Sequence, residues 1–395
     1  MNARTFDVIV VGGGPAGATA ALRLAKAGRK VLLADREGRI KPCGGAIPTR
    51  AIRDYDIPPD IICARINAAR IISPSGREVE MDIGDRGHVA MVDRETFDPW
   101  LRQRAQEAGA AYTSASFSGM IRDGDGLVTV TFEEKGGSES RFRARTVIGA
   151  DGANSAVRRV IFGPNKRPKY VFAYHEIIEA PKEMTDGYTP NRCDVVYRGS
   201  ISPDFYGWVF PHGKQASVGC GSAVKGHDMK AATRQLCADA GLAGARVIRR
   251  EGAPLPLKPM RRWDDGRNVV LAGDAAGVVA PSSGEGIYYA MLSGELCADA
   301  AMQMLDTGKA SALATARKRF MKEHGRVFFI LGLLQFIWYR SDRLREQFVK
   351  MCADPDVQAL TWESYLNKKL VRRDPAAHLR VLVKDIRQLL GLAPG

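Results

Sequence analysis

The chain has no CxxC pair, no even cysteine framework and only six histidines among 395 residues. Its seven cysteines, at 43, 63, 193, 220, 237, 297 and 352, are scattered, which excludes a disulfide scaffold and points to a reducing compartment. The histidines, at 88, 175, 212, 227, 324 and 378, form no HExxH, no HxxxH and no histidine-plus-carboxylate cluster, so no metal is assigned. A serine hydrolase is excluded by the lack of Gly-x-Ser-x-Gly. Long apolar runs are missing too. Two uncharged, mainly apolar stretches, 8–22 and 327–339, hold 15 and 13 residues, short of the ~18 that a membrane-spanning helix needs. Residues 1–7 lack the zones of a signal peptide. The expectation is a cytoplasmic protein.

What is present is ordinary globular material, 45% apolar and 26% charged. At about 150 residues per domain, the length leaves room for two or three lobes. The net charge is +14, and residues 311–395 contribute 16 basic against 8 acidic side chains. This asymmetry points either to an acidic partner surface or to a plain solvated face. With no helix-turn-helix, zinc-finger or RNA-binding signature beside it, nucleic acid is excluded as the partner and a membrane surface is preferred. Nothing in the sequence fixes an oligomeric state.

Residues 6–11 form a short β-branched run that leads into Gly12-Gly13-Gly14-Pro15-Ala16-Gly17, an Ala-rich helical stretch to Ala27, and a second strand over 30–34. Gly12-x-Gly14-x-x-Gly17 therefore lies where a strand gives way to a helix, and Asp35 stands at the end of the next strand. Gly12 permits the tight turn, Gly14 lets backbone approach a pyrophosphate, Gly17 lets helix and strand pack, and Asp35 can accept from a ribose hydroxyl. Further buried strands are expected at 146–150 and 268–272, each running into a Gly/Asp cluster, so the nucleotide domain is discontinuous. Residues 170–222 read as an antiparallel sheet. From Gly284 onward the pattern is helical, with breaks at Asp354-Pro355 and Asp374-Pro375.

Val147-Ile148-Gly149-Ala150-Asp151-Gly152 and Asn268 to Gly277, with Asp274 in its Gly-Asp pair, resemble the second and third fingerprints of the aromatic-hydroxylase type of FAD enzyme. Lys41-Pro42-Cys43-Gly44-Gly45-Ala46 and Tyr206-Gly207-Trp208-Val209-Phe210-Pro211 narrow the match. Both resemble the geranylgeranyl reductase family, and the order of motifs, including Asp93-Arg94-Glu95-Thr96-Phe97-Asp98 and residues 354–365, is similar to its chlorophyll and bacteriochlorophyll branch. The resemblance implies an α/β fold: a Rossmann-type FAD-binding domain (1–70, 85–165 and 255–310), an antiparallel-sheet substrate domain (71–84 and 166–254) and a helical C-terminal region (311–395). It implies FAD contacts at Gly12, Gly14, Ala16, Gly17, Asp35, Cys43, Gly44, Ala46, Arg94, Asp274, Gly286 and Ile287. The family pattern has Glu where this chain has the shorter Asp35. NADPH is the expected transient hydride donor. The implied reaction is saturation of geranylgeranyl to phytyl, on a (bacterio)chlorophyll ester or on geranylgeranyl diphosphate, at the surface of a photosynthetic membrane.

The chemistry sets its own demands. An isolated trisubstituted alkene is not electrophilic, so a hydride adds only if a proton arrives first or together with it. The site therefore needs an acid, electron-rich walls and little water. Tyr206 and Trp208, two apart on an expected strand, are candidate walls, and as catalytic candidates they stand beside Cys43. Cys43 can donate a proton, hydrogen-bond the flavin or fill space as a small apolar group. The other six cysteines are expected to be buried and inert. Residues 327–339, flanked by Arg326 and Arg340, read as a buried helix or a membrane-surface element. Two other classes compete with a reductase: a flavin monooxygenase of an apolar substrate and a non-catalytic prenyl-binding carrier. The halogenase variant is disfavoured because no two tryptophans stand two apart.

Overall fold

A computed structural model describes residues 4–368 apart from 37, 39, 182, 183 and 186. The expected break at Asp374-Pro375, His378 and the basic residues beyond 368 lie outside the described residues. The chain divides into two compact units: Met1–Lys41, Arg94–Tyr170 and Pro254–Phe328 form the first, and Pro42–Asp93, Val171–Ala253 and Phe329–Gly395 the second.

The first unit is built on a parallel sheet. Strand Thr5–Val11, apolar on both faces, pairs in parallel with Val31–Asp35 on one side and with Glu139–Gly149 on the other. Val269–Leu271 extends the sheet beyond Glu139–Gly149, and Ala111–Arg122 extends it beyond Val31–Asp35. Burial on both faces explains why Val8–Val11, Val31–Leu33 and Val269–Leu271 are continuous Val/Ile/Leu runs rather than alternating ones. Strand Val128–Glu134 pairs antiparallel with the far halves of Ala111–Arg122 and Glu139–Gly149, which adds a meander to the sheet. Helix Pro15–Lys26 packs against helices Arg94–Glu107 and Ile287–Thr307.

The second unit holds a seven-stranded sheet in the order Val247–Pro256, Tyr170–Glu179, Gln215–Ser222, Gly207–His212, Arg192–Val196, Ala68–Ile72, Glu78–Asp82. The pairings within 170–222 are antiparallel as expected, and the join of Arg192–Val196 to Ala68–Ile72 is parallel. One face is closed by helix Met229–Asp239, whose Leu236 and Cys237 pack on Val209, Ala216, Val218 and Cys220. Strands Ala46–Pro48, Val89–Val92 and Ile62–Ile66 form a separate three-stranded sheet.

These boundaries differ from the expected ones. Residues 42–70 and 85–93, assigned from sequence to the FAD-binding domain, fall in the second unit, because after Val31–Asp35 the chain leaves the parallel sheet to build the small sheet and the edge of the large one. The C-terminal region is helical as expected among the described residues. Helix Ala314–Trp338 is divided between the units after Phe328, while Asp342–Met351 and Pro355–Asn367 belong to the second. Asp354 caps the last of these, with Pro355 at its first position.

Candidate active site

In the first unit the glycine motif occupies the turn from Thr5–Val11 into Pro15–Lys26. Gly12 has φ +103°, and a Cβ there would lie 2.4 Å from the Ala150 carbonyl oxygen, so only glycine fits. A Cβ on Gly17 would meet the Gly12 oxygen at 1.8 Å. Gly14 is different. The nearest atom to a Cβ there is Arg94 Nη2 at 3.7 Å, so this side of the turn is open. Gly14 is also the N-cap of a helix that begins without a side-chain cap. Its first amides and partial positive charge are available to an anion.

Arg94 is buried and held by Asp98 through two bonds, Nε to Oδ1 at 2.7 Å and Nη2 to Oδ2 at 2.6 Å. Asp35 ends the second strand with Oδ2 at 3.2 Å from Arg102 Nη1, which also donates to the Gly13 carbonyl. Burial pushes the Asp35 carboxyl above its ordinary range against the pull of Arg102. The Ala16 backbone is approached closely by helix Ile287–Thr307; a Cβ on Gly294 would lie 2.1 Å from the Ala16 oxygen, so position 294 requires glycine. Asp274, buried in the turn Gly273–Ala275, accepts from Lys41 Nζ at 2.5 Å. Gly286 is the N-cap residue of Ile287–Thr307, where Glu285 Oε1 accepts from the Tyr288 N–H at 2.9 Å, and Ile287 is buried. An open glycine turn, uncapped amides, an adjacent arginine and an acid at the second strand fit the pyrophosphate and ribose of a dinucleotide. The pairing of Lys41 with Asp274 escaped the sequence reading, because spacing alone does not show which carboxylate a lysine meets.

In the second unit Tyr206, Trp208, Phe210 and His212 follow one another on the sheet face opposite Val209 and the Met229–Asp239 helix. Ring centroids are 6.1 Å apart from Tyr206 to Trp208 and 6.2 Å from Trp208 to Phe210. Tyr206 and Trp208 are both buried, and Tyr206 stacks on Phe205 at 4.2 Å. At the end of the row stands the loop that carries Cys43. A Cβ on Gly44 would lie 3.3 Å from the Phe210 ring, and Ala46 opens the strand that pairs with Met91. Burial, then the neighbouring Tyr339, Cys193 and Cys43, raise the Tyr206 hydroxyl well above its usual range. It is a poor proton donor near neutrality and better placed as a wall.

Trp208 is anchored from behind. Its Nε1–H donates to Ser217 Oγ at 3.1 Å; Ser217 Oγ lies 2.9 Å from His175 Nδ1, and His175 Nε2 lies 3.1 Å from Glu251 Oε2. Arg249 donates to the other Glu251 oxygen at 2.8 Å. Although its own burial opposes ionisation, His175 and Arg249 hold the Glu251 carboxyl below its ordinary range. Ser217 and His175 are buried, and the Trp208 N–H occupies the serine oxygen, so this serine–histidine–glutamate chain positions an indole instead of attacking a substrate.

Two expectations are corrected here. Histidine–carboxylate pairs exist, His175 with Glu251 and His212 with Asp93, joining residues 76 and 119 positions apart that no local pattern connects. Cys63 is not buried like Cys193, Cys220, Cys237, Cys297 and Cys352 but half-buried, because its strand is in the small sheet and only partly covered. Its thiol donates to the Met91 carbonyl at 3.2 Å, and burial and then Asp93 push it up to about 12. Cys63, Asp93 and His212 place potential ligand atoms within 4.8 Å of one another, the one such group among the described residues.

The chain matches the family model described as "Lycopene cyclase protein" over residues 7–383. It is 53% identical to geranylgeranyl diphosphate reductase of Rhodobacter capsulatus, over 98% of both chains. It is 38% identical to the chloroplastic geranylgeranyl diphosphate reductase of Nicotiana tabacum, over 99% of this chain and 87% of the relative. Among solved structures, a geranylgeranyl bacteriochlorophyll reductase-like protein from Thermoplasma acidophilum superposes with a TM-score of 0.81 at 22% identity, covering 99% of this chain and 100% of the other, which establishes a shared fold. The chain thus belongs to the family described as lycopene cyclase protein and, within it, to the geranylgeranyl diphosphate reductases, which are flavoproteins.

Proposed function

We propose that this protein saturates double bonds of a geranylgeranyl chain, carried on a diphosphate or as a (bacterio)chlorophyll ester, with FAD as cofactor and NADPH as the source of hydride. The observation that carries the reading is the row Tyr206, Trp208, Phe210 on one sheet face with the Cys43–Gly44 loop at its end. Bound FAD supplies two-electron hydride chemistry. For each bond reduced, a proton adds to the less substituted alkene carbon and a hydride to the more substituted one. One π bond is lost, two C–H bonds form, and NADPH becomes NADP+.

The residues of the chain have separate tasks in this scheme. Gly12, Gly14, Ala16 and Gly17, with Arg94, take the pyrophosphate, Asp35 the ribose, and Asp274, paired with Lys41, the polar chain toward the ring. Gly286 and Ile287 offer a helix N-terminus, and Cys43, Gly44 and Ala46 are the remaining cofactor contacts. Tyr206 and Trp208 exclude water and face developing positive charge, an attraction of about 0.5–2 kcal/mol per ring. Cys43 delivers or relays the proton. Apolar substrate approaches from a membrane surface: Phe329, Leu333 and Phe336 lie one or two turns apart on helix Ala314–Trp338 and are 71%, 46% and 63% exposed, with the Arg340 guanidinium 4.9 Å from the Phe336 ring centre. Deletion of the gene tests the function directly. Pigment that keeps a geranylgeranyl tail supports it, and pigment with a normal phytyl tail sinks it.

A further inference from the structure

His212 closes the row of aromatic residues, and its two ring nitrogens are both engaged. Nε2 lies 3.1 Å from the Gly44 carbonyl oxygen, which can only accept, so Nε2 carries a hydrogen. Nδ1 lies 2.8 Å from Asp93 Oδ1 and 3.6 Å from Cys63 Sγ, which fixes the plane of the ring. Asp93 therefore holds the imidazole with Nε2 aimed at the Gly44 carbonyl. The peptide that accepts it is the one whose other end matters. The Gly45 N–H of that same peptide donates to Cys43 Sγ at 3.4 Å. The peptide has little freedom elsewhere: Gly45 has φ +71°, its carbonyl accepts from Val92 N–H at 2.9 Å, and a Cβ on it would strike His212 Cε1 at 2.5 Å.

We propose that His212, itself held by Asp93, is a positioning residue that locks and polarises the Gly44–Gly45 peptide and thereby keeps an N–H donor on the Cys43 sulfur. A peptide whose carbonyl accepts a strong hydrogen bond is a better N–H donor, so the chain Asp93, His212, Gly44–Gly45, Cys43 acts as one unit. Metal-ligand chemistry is available to Cys63, Asp93 and His212, but hydrogen bonds already account for all three: the Cys63 thiol donates to Met91, and the imidazole nitrogens face Asp93 and Gly44. The inference deepens the reading of Cys43 as proton donor or relay, and its test does not depend on that reading.

The thiolate is the nucleophile that attacks iodoacetamide and displaces iodide, and a backbone N–H on the sulfur favours it. Cys43 alkylation by iodoacetamide is followed on the full-length protein by peptide mass spectrometry, with Cys63 monitored separately. His212→Phe keeps a ring but donates nothing to Gly44, and it should slow Cys43 alkylation about threefold to tenfold. His212→Gln restores an amide donor at the Nε2 position and should return the rate to within about twofold of wild type. Wild-type alkylation in His212→Phe overturns the proposal. If that variant does not fold, His212→Asn, whose shorter amide reaches Asp93 but not Gly44, is compared with His212→Gln, and equal rates in these two overturn it as well. The underlying reading has its own readout. In Cys43→Ser, flavin reduction by NADPH should persist while alkene saturation falls about 10²-fold, the scale of a lost general acid. Undiminished saturation there removes Cys43 as the acid and leaves the alkylation result standing.

Discussion

At the scale of single residues, the candidate site depends on groups that are held by others. Trp208 is fixed by Ser217, Ser217 by His175, and His175 by Glu251, so the outermost carboxylate sets the geometry of the wall. Glu251 is held below its ordinary range, which means the fold favours its ionised form. Its stabilisation is therefore present above the unfolded carboxyl value of about 4.3 and lost as pH falls through the lower folded value. Glu251→Gln should cost about 2 kcal/mol near neutrality, the worth of a hydrogen bond to a charged group, with the gap from wild type closing in acid. Denaturant melts of both proteins across the acid range check this, and a gap that is constant down to strongly acid pH contradicts it. None of this chain was readable beforehand. Its members are 9, 42 and 76 positions apart, and a single sequence contains no record of which side chains meet across strands.

At the scale of elements, the strand–turn–helix at the N-terminus was the most legible part, because everything it needs is contiguous. The close approaches at Gly12 and Gly17 follow from the turn and from helix–strand packing, and both were placed by spacing alone. The structure also separates glycines that the motif treats alike. A methyl group at 17 collides with the Gly12 carbonyl, whereas one at 14 meets only open space beside Arg94. Gly17→Ala should therefore prevent the domain from folding. Gly14→Ala should melt like wild type but bind FAD at least about tenfold more weakly, since the methyl occupies the place of approach to the pyrophosphate. Thermal melts with and without FAD distinguish the two, and a Gly14→Ala protein with wild-type FAD affinity would argue against the pyrophosphate assignment. The Lys41–Asp274 pair, which spans 233 positions, shows the limit of such reading: motif spacing locates each end and says nothing of their meeting. The sheet of the second unit was legible in its alternation, which placed Tyr206 and Trp208 on one face. The parallel join to Ala68–Ile72 and the small sheet containing Ala46–Pro48 were not, since they pair segments separated by more than a hundred residues or by unrelated elements.

At the scale of the whole molecule, motif order indicated the α/β fold and charge a basic C-terminal part, while the two compact units divide at places that local patterns did not mark, after Lys41 and before Arg94. Among the described residues no helix is long and apolar enough to cross a membrane. The exposed Phe329, Leu333 and Phe336 form the apolar stripe that the proposed function sets against a membrane surface. Anionic vesicles should bind the protein, with affinity weakened by salt, and Phe329→Ser combined with Phe336→Ser should abolish binding while the melting temperature is kept. Unchanged vesicle binding in that variant would return the stripe to the role of a plain surface. The central claim is that hydride and proton pass to an isolated alkene. Its most direct test is anaerobic: the FAD-loaded protein is bleached with one equivalent of NADPH and then given a geranylgeranyl substrate. Return of the oxidised flavin spectrum together with a product that has gained hydrogen and no oxygen is the predicted result. A flavin that stays reduced until oxygen is admitted, and then yields an oxygenated product, would contradict it.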